Sequence, residues 1–253
     1  MLIGLTRRAL QFTMFPVGKV RTVWFGPCSG LQFRVFPEYS LGFALGRRER
    51  DEMRLMMKHI RPGDIVYDLG ANYGMHTLLM ARLVGPEGSV FAFEPQPKVF
   101  AQMSENIRLN EFEWVTPVCS AVSDRGGQGT FVLSASAATG HLGTPLEAGI
   151  SIETIALDDF VFRRGNMRPT FIKIDIEGAE AAALTGARRL LKEFHPTLLI
   201  ELHTPEQDRQ VGRILNDFGY TAIRAKGGEP VKSLTTGWPA PDGIWGTVLA
   251  SAT

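Results

Sequence analysis

The amino-acid sequence predicts an α/β fold in which helices cover both faces of a mostly parallel sheet. From residue 64 onward, short apolar runs typical of buried strands alternate with longer segments of helical periodicity. A glycine-rich turn stands where the first of these strands meets the first of these helices. The chain has 253 residues, 44% of them hydrophobic and 21% charged, which suffices for one sizeable core and excludes disordered and fibrous proteins.

The strands are predicted from apolar, β-branched and aromatic runs bounded by glycine, proline or polar residues. In chain order they span residues 65–69, 90–93, 114–119, 126–133, 150–155, 171–176, 197–202, 220–225 and 244–249. The polar, glycine-containing stretch 134–149 is predicted to be a mobile loop. The last two strands are joined by a loop rich in glycine and proline, which is compatible with a hairpin.

Helices are predicted from apolar residues three and four positions apart and from signals at the helix ends. Pro97 suits a first helical turn, where the N–H that proline lacks has no partner in any case. Thr204, Pro205 and Gln207 give the clearest start, and Gly219 can end that helix. The predicted helices span residues 47–60, 73–83, 97–110, 179–191 and 204–219.

Charge is unevenly distributed along the chain, although the net charge is only +1. Residues 1–48 carry seven basic side chains and one acidic one, so the remainder is net negative. We expect no nucleic-acid partner. Residues 1–48 are treated as an N-terminal extension that caps the substrate or contacts a second subunit or an anion, and residues 49–253 as the main domain. The basic and aromatic side chains of residues 1–25 also fit contact with an anionic membrane surface.

Cysteine content and hydropathy bear on the compartment. Cys28 and Cys119 lie far apart and match no disulfide framework and no zinc or haem spacing. No apolar stretch approaches 18 residues, and Arg7 and Arg8 interrupt the apolar start of the chain. We therefore expect a cytoplasmic protein with neither a membrane span nor a cleaved signal.

The turn at residues 68–74, with the sequence Asp-Leu-Gly-Ala-Asn-Tyr-Gly, predicts a cofactor site. Glycines let backbone N–H groups approach a ligand without obstruction, so Gly70 and Gly74, with Asn72 between them, are predicted to line it. The dinucleotide fingerprint G-x-G-x-x-G is incomplete, and the Asp68 carboxylate would repel the diphosphate of NAD or FAD. S-adenosylmethionine has no phosphate, and its sulfonium and ammonium are cationic, so Asp68 favours that cofactor.

Two further acids complete the predicted cofactor site. Glu94 ends the second strand, where its carboxylate can accept hydrogen bonds from both ribose hydroxyls. Asp124 follows the third strand and is placed to meet the adenine amino group. The alternative for each acid is a structural role as a cap or turn residue.

Polar side chains occupy alternate positions, on one face, of two later predicted strands. Lys173, Asp175 and Glu177 alternate with isoleucines, and Glu201 and His203 repeat the pattern in the next strand. A central parallel strand is normally apolar on both faces, so these residues predict a ligand or a compensating partner. Ligands of open α/β sheets bind at the carboxyl edge, where all of these side chains lie.

Methyl transfer to an oxygen fits this second group, because it requires positioning and a base for the hydroxyl proton. His203 is the predicted base, since imidazole is mostly neutral at pH 7, and Asp175 is the second choice. Glu177 and Glu201 would orient the imidazole or hold substrate hydroxyls. No dedicated metal site is predicted, although the four side chains together could bind Mg²⁺ or Ca²⁺. A structural ion-pair network is the other alternative.

An ordered set of motifs covers about residues 60 to 203. Its members are Pro62-Gly63-Asp64, the turn 68–74, Phe93-Glu94-Pro95, Asn106 with Asn110, Ala121-Val122-Ser123-Asp124, the run 172–180 and Glu201-x-His203. The set resembles the FkbM family of methyltransferases. The resemblance implies a Rossmann-like class I methyltransferase fold, a three-layer sandwich whose seven-stranded sheet has an antiparallel last strand. It also implies S-adenosylmethionine at Asp68, Gly70, Asn72, Gly74, Glu94 and Asp124, with Asp175, Glu177 and His203 near the acceptor.

The function expected from these observations is S-adenosylmethionine-dependent O-methylation of a hydroxyl on a sugar, glycolipid or secondary metabolite. The partner is then a small-molecule or glycan acceptor. A dinucleotide-dependent oxidoreductase is one alternative, against which Asp68 and the incomplete glycine spacing count. A non-catalytic cofactor-binding module is another, and the polar group at 175, 177 and 203 counts against it.

Overall fold

The computed structural model describes residues 15–36, 45, 49–133, 140–143 and 147–252. The strands are β1 (Val20–Thr22), β2 (Gln32–Arg34), β3 (Ile65–Leu69), β4 (Ser89–Phe93), β5 (Val115–Val118), β6 (Ala121–Val122), β7 (Gly127–Leu133), β8 (Gly140–Gly143), β9 (Ile150–Ile155), β10 (Phe171–Ile174), β11 (Thr197–Glu201), β12 (Tyr220–Arg224) and β13 (Thr247–Ala252). The helices are α1 (Arg50–His59), α2 (Met75–Val84), α3 (Pro97–Leu109), α4 (Glu180–Thr185), α5 (Arg188–Phe194) and α6 (Pro205–Asp217), with a π-helical turn at Asp159–Arg163.

Seven strands form the central sheet, in the order β12-β13-β11-β10-β3-β4-β5. Neighbouring strands are parallel except for β13, which runs antiparallel to β11 and β12. The predicted seven-stranded sheet with a reversed last strand is confirmed. That strand begins at Thr247 rather than at 244, because Gly246, with φ of +64°, turns the chain just before it. Strand order reverses between β10 and β3, so their carboxyl ends border the crevice where such sheets bind ligands.

Helices cover both faces of this sheet, as predicted. On one face α1, α2 and α3 bury side chains such as Met56, Leu79 and Met103 against the sheet. On the other face α4, α5 and α6 contribute a second apolar cluster that contains Leu184 and Val211. In the described ranges, no helix is long and apolar enough to cross a membrane.

The helix predicted at 179–191 is in fact two helices, α4 and α5, separated at Gly186. A Cβ at Gly186 would lie 2.2 Å from the Ser123 carbonyl oxygen, so only glycine allows this break to lie so close to the chain that follows β6. The Gly186 carbonyl accepts the Asp158 N–H at 2.8 Å, and the Asp158 carboxylate accepts the N–H groups of Arg189 and Leu190, each at 2.9 Å. Asp158 therefore ends one helix and caps the next, a tertiary contact that local periodicity does not reveal.

A second sheet has the strand order β6-β9-β7-β8. Its strands follow β5, an edge strand of the central sheet, along the chain. Its strand β8 falls inside the stretch 134–149 that was predicted to be a mobile loop, and it pairs antiparallel with β7. The loop prediction is wrong for residues 140–143, because the hairpin supplies their backbone hydrogen-bond partners. Residues 134–139 and 144–146 lie outside the described part of the chain.

The described part of the N-terminal extension forms a hairpin of β1 and β2 that packs on α3. An asparagine of α3 and the asparagine just after the helix make this contact through their side-chain amides. Asn106 Oδ1 accepts the Arg34 N–H at 2.8 Å, while Asn110 bonds both the N–H and the C=O of Gln32, at 2.9 and 2.8 Å. Leu31 and Phe33 join the same apolar core as α1 to α3, so residues 15–36 and the main domain share one core.

Candidate active site

The glycine turn after β3 folds back on the end of β4. The N–H groups of Gly70 and Ala71 both donate to the Phe93 carbonyl, at 3.0 and 2.9 Å. Gly70 has φ of +80°, and a Cβ there would lie 1.9 Å from the carbonyl oxygen of Asp175. Gly70 therefore allows the turn to lie directly against the end of β10, which brings the predicted cofactor and acceptor residues together.

Glu94 is fixed by this turn. Its Oε2 accepts the Asn72 N–H at 3.0 Å, and its Oε1 accepts the Gln96 N–H at 2.9 Å. The residue is only 6% exposed. Burial raises the pKa of the Glu94 carboxyl to about 7, although both backbone hydrogen bonds favour its ionised form. Each carboxylate oxygen keeps acceptor capacity beyond its one backbone donor.

Asp68 lies under the turn rather than in the cleft. It has no exposed surface, accepts a hydrogen bond from Thr77 Oγ1 at 2.6 Å, and lies 3.6 Å from Lys173 Nζ. Asp68 was predicted to contact the cofactor, but its enclosed side chain is not among those that line the cleft. Asp68 instead balances Lys173, whose Nζ also lies 3.2 Å from Asp175. Burial opposes the ammonium, yet the two carboxylates outweigh it and hold the pKa of Lys173 above its usual value.

His203 lies among three carboxylates at the carboxyl end of the sheet. Its Nδ1 is 3.0 Å from Glu180 Oε1, and its Nε2 is 3.6 Å from both Asp175 Oδ1 and Glu177 Oε2. Glu180 is fully buried, and the same Oε1 accepts the Gly178 N–H at 3.0 Å. A buried carboxylate on one ring nitrogen fixes the orientation of the imidazole and directs the other nitrogen toward Asp175 and Glu177.

The hydrogen bond to Glu180 raises the pKa of His203 to about 9, with Asp175 and Glu177 adding to the effect and burial opposing it. The imidazole is therefore mostly protonated at pH 7, which corrects the expectation that it is mostly neutral. For Asp175, burial disfavours ionisation, but Lys173 and His203 outweigh it and hold the pKa below its usual value. Glu201 ends β11, one residue after Ile200, which pairs with Ile174 just before Asp175. Burial and the charge of Asp175 raise the pKa of Glu201 to about 7.

A cleft of about 640 Å³, partly open to solvent, lies at this edge of the sheet. Five of the predicted site residues line it, namely Gly70, Asn72, Glu94, Asp175 and Glu177. Apolar side chains from both sheets form the opposite wall, including Pro95, Val122, Phe131 and Leu142. His203 contacts the cleft through Asp175 and Glu177.

Three predicted cofactor residues are not among those that line the cleft. They are Asp68, Gly74 and Asp124. Gly74 caps the start of α2 in a left-handed conformation, and Asp124 is exposed on the chain that leaves β6. Ser120 and Ala121, three to four residues before Asp124, line the cleft in its place.

Two residues that hold the site together were not among the predicted site residues. Lys173 was considered only as part of a structural ion-pair network, and Glu180 only as part of a motif. The signal was available for Glu180, because an acid at the first position of an otherwise apolar helix stands out. Its partner His203 is 23 residues away, however, and only the fold brings them together.

Asp175, Glu177 and His203 also meet a geometric condition for a cation site. Each offers one ligand atom, and these atoms lie within 4.8 Å of one another. Lys173 and protonated His203 supply two positive charges to a cluster of four carboxylates, Asp68, Asp175, Glu177 and Glu180, and so offset only part of the negative charge at this donor set.

The residues of the cleft fit S-adenosylmethionine. Glu94 offers two acceptor oxygens for a ribose diol, and the apolar side chains that line the cleft can contact an adenine ring. The cleft lies at the point where the strand order of a seven-stranded sheet with a reversed last strand changes direction. Fold and cleft together define a class I methyltransferase.

Comparison with protein families gives the particular family. The model of the methyltransferase FkbM domain matches residues 68–222, more than half of the chain. The chain belongs to the FkbM methyltransferase family, which confirms the resemblance. It is a methyltransferase, and S-adenosylmethionine is its methyl donor.

Several characterised proteins are similar in sequence. The hexuronic acid methyltransferase AglP of Haloferax volcanii is 29% identical over 68% of this chain and 69% of its own. The 31-O-demethyl-FK506 methyltransferase FkbM of Streptomyces tacrolimicus is 31% identical over 67% of this chain and 78% of its own. The 2-O-methyltransferase NoeI of Sinorhizobium fredii is 28% identical over 52% of this chain and 60% of its own. A crystal structure of methyltransferase FkbM from Methylobacillus flagellatus KT, 19% identical, covers 79% of this chain and 50% of its own with a TM-score of 0.48.

Proposed function

We propose that this protein is an O-methyltransferase that methylates a hydroxyl group of a sugar or a secondary metabolite, with His203 as the general base. The observation that carries the proposal is the pairing of His203 with the buried Glu180, which directs Nε2 toward two carboxylates of the cofactor cleft. The names of the relatives support the acceptor class, because they describe methyl transfer to a hexuronic acid, to the 31-oxygen of FK506 and to a 2-oxygen.

When bound, S-adenosylmethionine supplies an electrophilic methyl group on a sulfonium that leaves as a neutral thioether. The acceptor oxygen gives its proton to His203 Nε2 while its electron pair forms the new bond to carbon. Glu180 stabilises the imidazolium that results, and Asp175 and Glu177 hold the acceptor hydroxyls at Nε2. Because the pKa of His203 is about 9, the fraction of His203 in the reactive neutral form increases with pH.

The test is transfer of an isotope-labelled methyl group to a panel of acceptors that includes methyl glycosides of hexoses and hexuronic acids and a cyclohexanol. We expect label in an alkali-stable ether. His203→Ala should lower turnover by at least about 10²-fold with little change in cofactor affinity. Label confined to an alkali-labile methyl ester, or wild-type turnover in His203→Ala, would contradict the proposal.

The two alternative functions are not favoured. A dinucleotide site would need the complete glycine fingerprint, which the turn lacks. A module that only binds the cofactor would have no use for an imidazole with a buried carboxylate partner beside the cleft.

For the compartment we propose the cytoplasm, in keeping with two free thiols, Cys28 and Cys119. For the N-terminal residues we propose contact with an anionic lipid surface. Trp24 and Phe25 are exposed in the loop after β1, and Lys19 and Arg21 are nearby in the chain. Co-sedimentation with phosphatidylserine vesicles should be lost when Trp24 and Phe25 are replaced by serine, and unchanged sedimentation would refute the contact.

A further inference from the structure

A second pocket adjoins His203. It measures about 360 Å³, including space open to solvent. Its lining includes His203 and Thr204 just before α6, Asp208 in α6, and Trp238 and Trp245 in the loop between β12 and β13. We call it the tryptophan pocket. His203 lines this pocket, and its Nε2 lies 3.6 Å from Asp175 and Glu177, which line the cleft, so the pocket borders the proposed base.

The two tryptophans form an aromatic corner that the fold holds in place. Their ring centroids are 5.2 Å apart, and the rings meet edge to face at 77°. The Arg224 guanidinium lies 3.9 Å from the centre of the Trp245 ring and donates to the carbonyls of Trp245, Pro241 and Gly243. Arg224 thereby fixes the loop that carries Trp245.

Trp238 is 52% exposed, yet its backbone is anchored. Its N–H donates to Asp208 Oδ2 at 3.0 Å, and a Cβ at Gly237 would lie 2.7 Å from the Asp208 Cβ, so glycine lets this loop approach α6. A large aromatic face that is held rigid and left in solvent contributes little to folding and is typical of a recognition surface.

The pocket also offers polar groups beside the aromatic corner. Asp208 is almost fully buried and lines the pocket, and its Oδ2 accepts the Trp238 N–H. Trp245 Nε1 is buried and has no hydrogen-bond partner among the described residues, which is costly for a donor. An oxygen of a bound acceptor is the kind of partner that this N–H lacks.

We propose that the tryptophan pocket binds the pyranose ring of the acceptor, with the C–H face of the ring stacked on Trp238 and a ring hydroxyl directed to His203. A pyranose presents an apolar face of C–H groups and a rim of hydroxyls, which matches an exposed aromatic face beside a carboxylate and an indole N–H. The inference rests on the proposed function and narrows its acceptor to a sugar.

The test compares Trp238→Ala and Trp238→Phe with Met167→Ala, a similarly exposed apolar side chain on the chain before β10. Binding of methyl glycosides to the protein with S-adenosylhomocysteine is measured by calorimetry, and kinetics follow with whichever glycoside accepts the methyl group. We expect Trp238→Ala to weaken glycoside binding and raise its KM about tenfold, with kcat within about twofold. Trp238→Phe should retain most of the affinity, and Met167→Ala should match the wild type.

The outcomes separate this inference from the proposed function. Glycoside binding that depends on Trp238 without methyl transfer would support the pocket and contradict the function. Sugar methylation with an unchanged KM in Trp238→Ala would overturn the pocket and leave the function standing. Failure of every glycoside to bind, while a non-sugar alcohol is methylated, would also overturn it. If Trp238→Ala does not fold, Trp238→Leu provides the same comparison, with the thermal melt as the check.

Discussion

Replacing Glu180 with glutamine is expected to shift the pH dependence of the methyltransferase toward acid. Glu180 is the main cause of the raised pKa of His203, through a 3.0 Å hydrogen bond to Nδ1 and through its charge. Glutamine has nearly the same shape and can still accept the Gly178 N–H, so the backbone of the site should be retained. What it removes is the negative charge that stabilises the imidazolium.

The size of the shift follows from the pKa of His203. At about 9, roughly one imidazole in a hundred is neutral at pH 7, whereas at the ordinary value of 6.5 about three in four would be. Asp175 and Glu177 remain in the variant and still raise the pKa. We therefore expect the rising limb of the kcat/KM profile, whose midpoint reports the pKa of His203, to move to lower pH by about one to two units. At the plateau, kcat should fall at least about tenfold, because the imidazole loses its orienting carboxylate.

The assay is a profile of kcat/KM from pH 6 to pH 10 with saturating S-adenosylmethionine, with a thermal melt of each variant. Glu177→Gln is the matched control, since Glu177 adds less to the pKa of His203 and its limb should move less. A limb that stays near pH 9 in Glu180→Gln would refute the assignment of His203 as the titrating base. A loss of activity that is equal at every pH would point to a structural role for Glu180 alone.

Three further outcomes are expected. Affinity for S-adenosylmethionine should fall as the pH drops below about 7, because Glu94 is then protonated. In calorimetry Glu94→Gln should bind this cofactor about ten- to a hundredfold more weakly, with an affinity that does not change with pH. An affinity that still depends steeply on pH in that variant would exclude Glu94 as the titrating group. Gly70→Ala should lower the melting temperature clearly more than Gly63→Ala, since both have positive φ but only Gly70 faces the Asp175 carbonyl; equal melting temperatures would contradict that contact. Dialysis against EDTA should leave turnover unchanged because Asp175 and Glu177 each already contact a cationic side chain, Lys173 or protonated His203, and a loss that MgCl₂ restores would assign these side chains to a cation.

Local signals in the sequence were sufficient for the elements of the central sheet. The cap at Thr204, whose Oγ1 accepts the Gln207 N–H, and the proline at the start of α3 lie where the sequence placed them. The predicted position of Glu94, at the end of a short apolar strand, does place it on the wall of the cleft. The break at Gly186 and the strand β8 could not be predicted from the sequence, because both depend on partners elsewhere in the chain.

The sequence by itself determined the fold class and the edge of the sheet at which the site lies, because periodicity and turn residues act over a few neighbours. The reversed last strand was implied only by the resemblance to the family. Only the tertiary structure decided which side chains face the cleft. Asp68 and Glu94 look alike as acids near strand ends, yet one is enclosed with Lys173 and the other lines the cleft. The structure likewise placed Glu180 against His203, which sets the charge of the imidazole. It also placed Trp238 in the pocket that His203 lines. Burial and charge pairing sum over residues far apart in the chain, so neither is determined until the sheet has assembled.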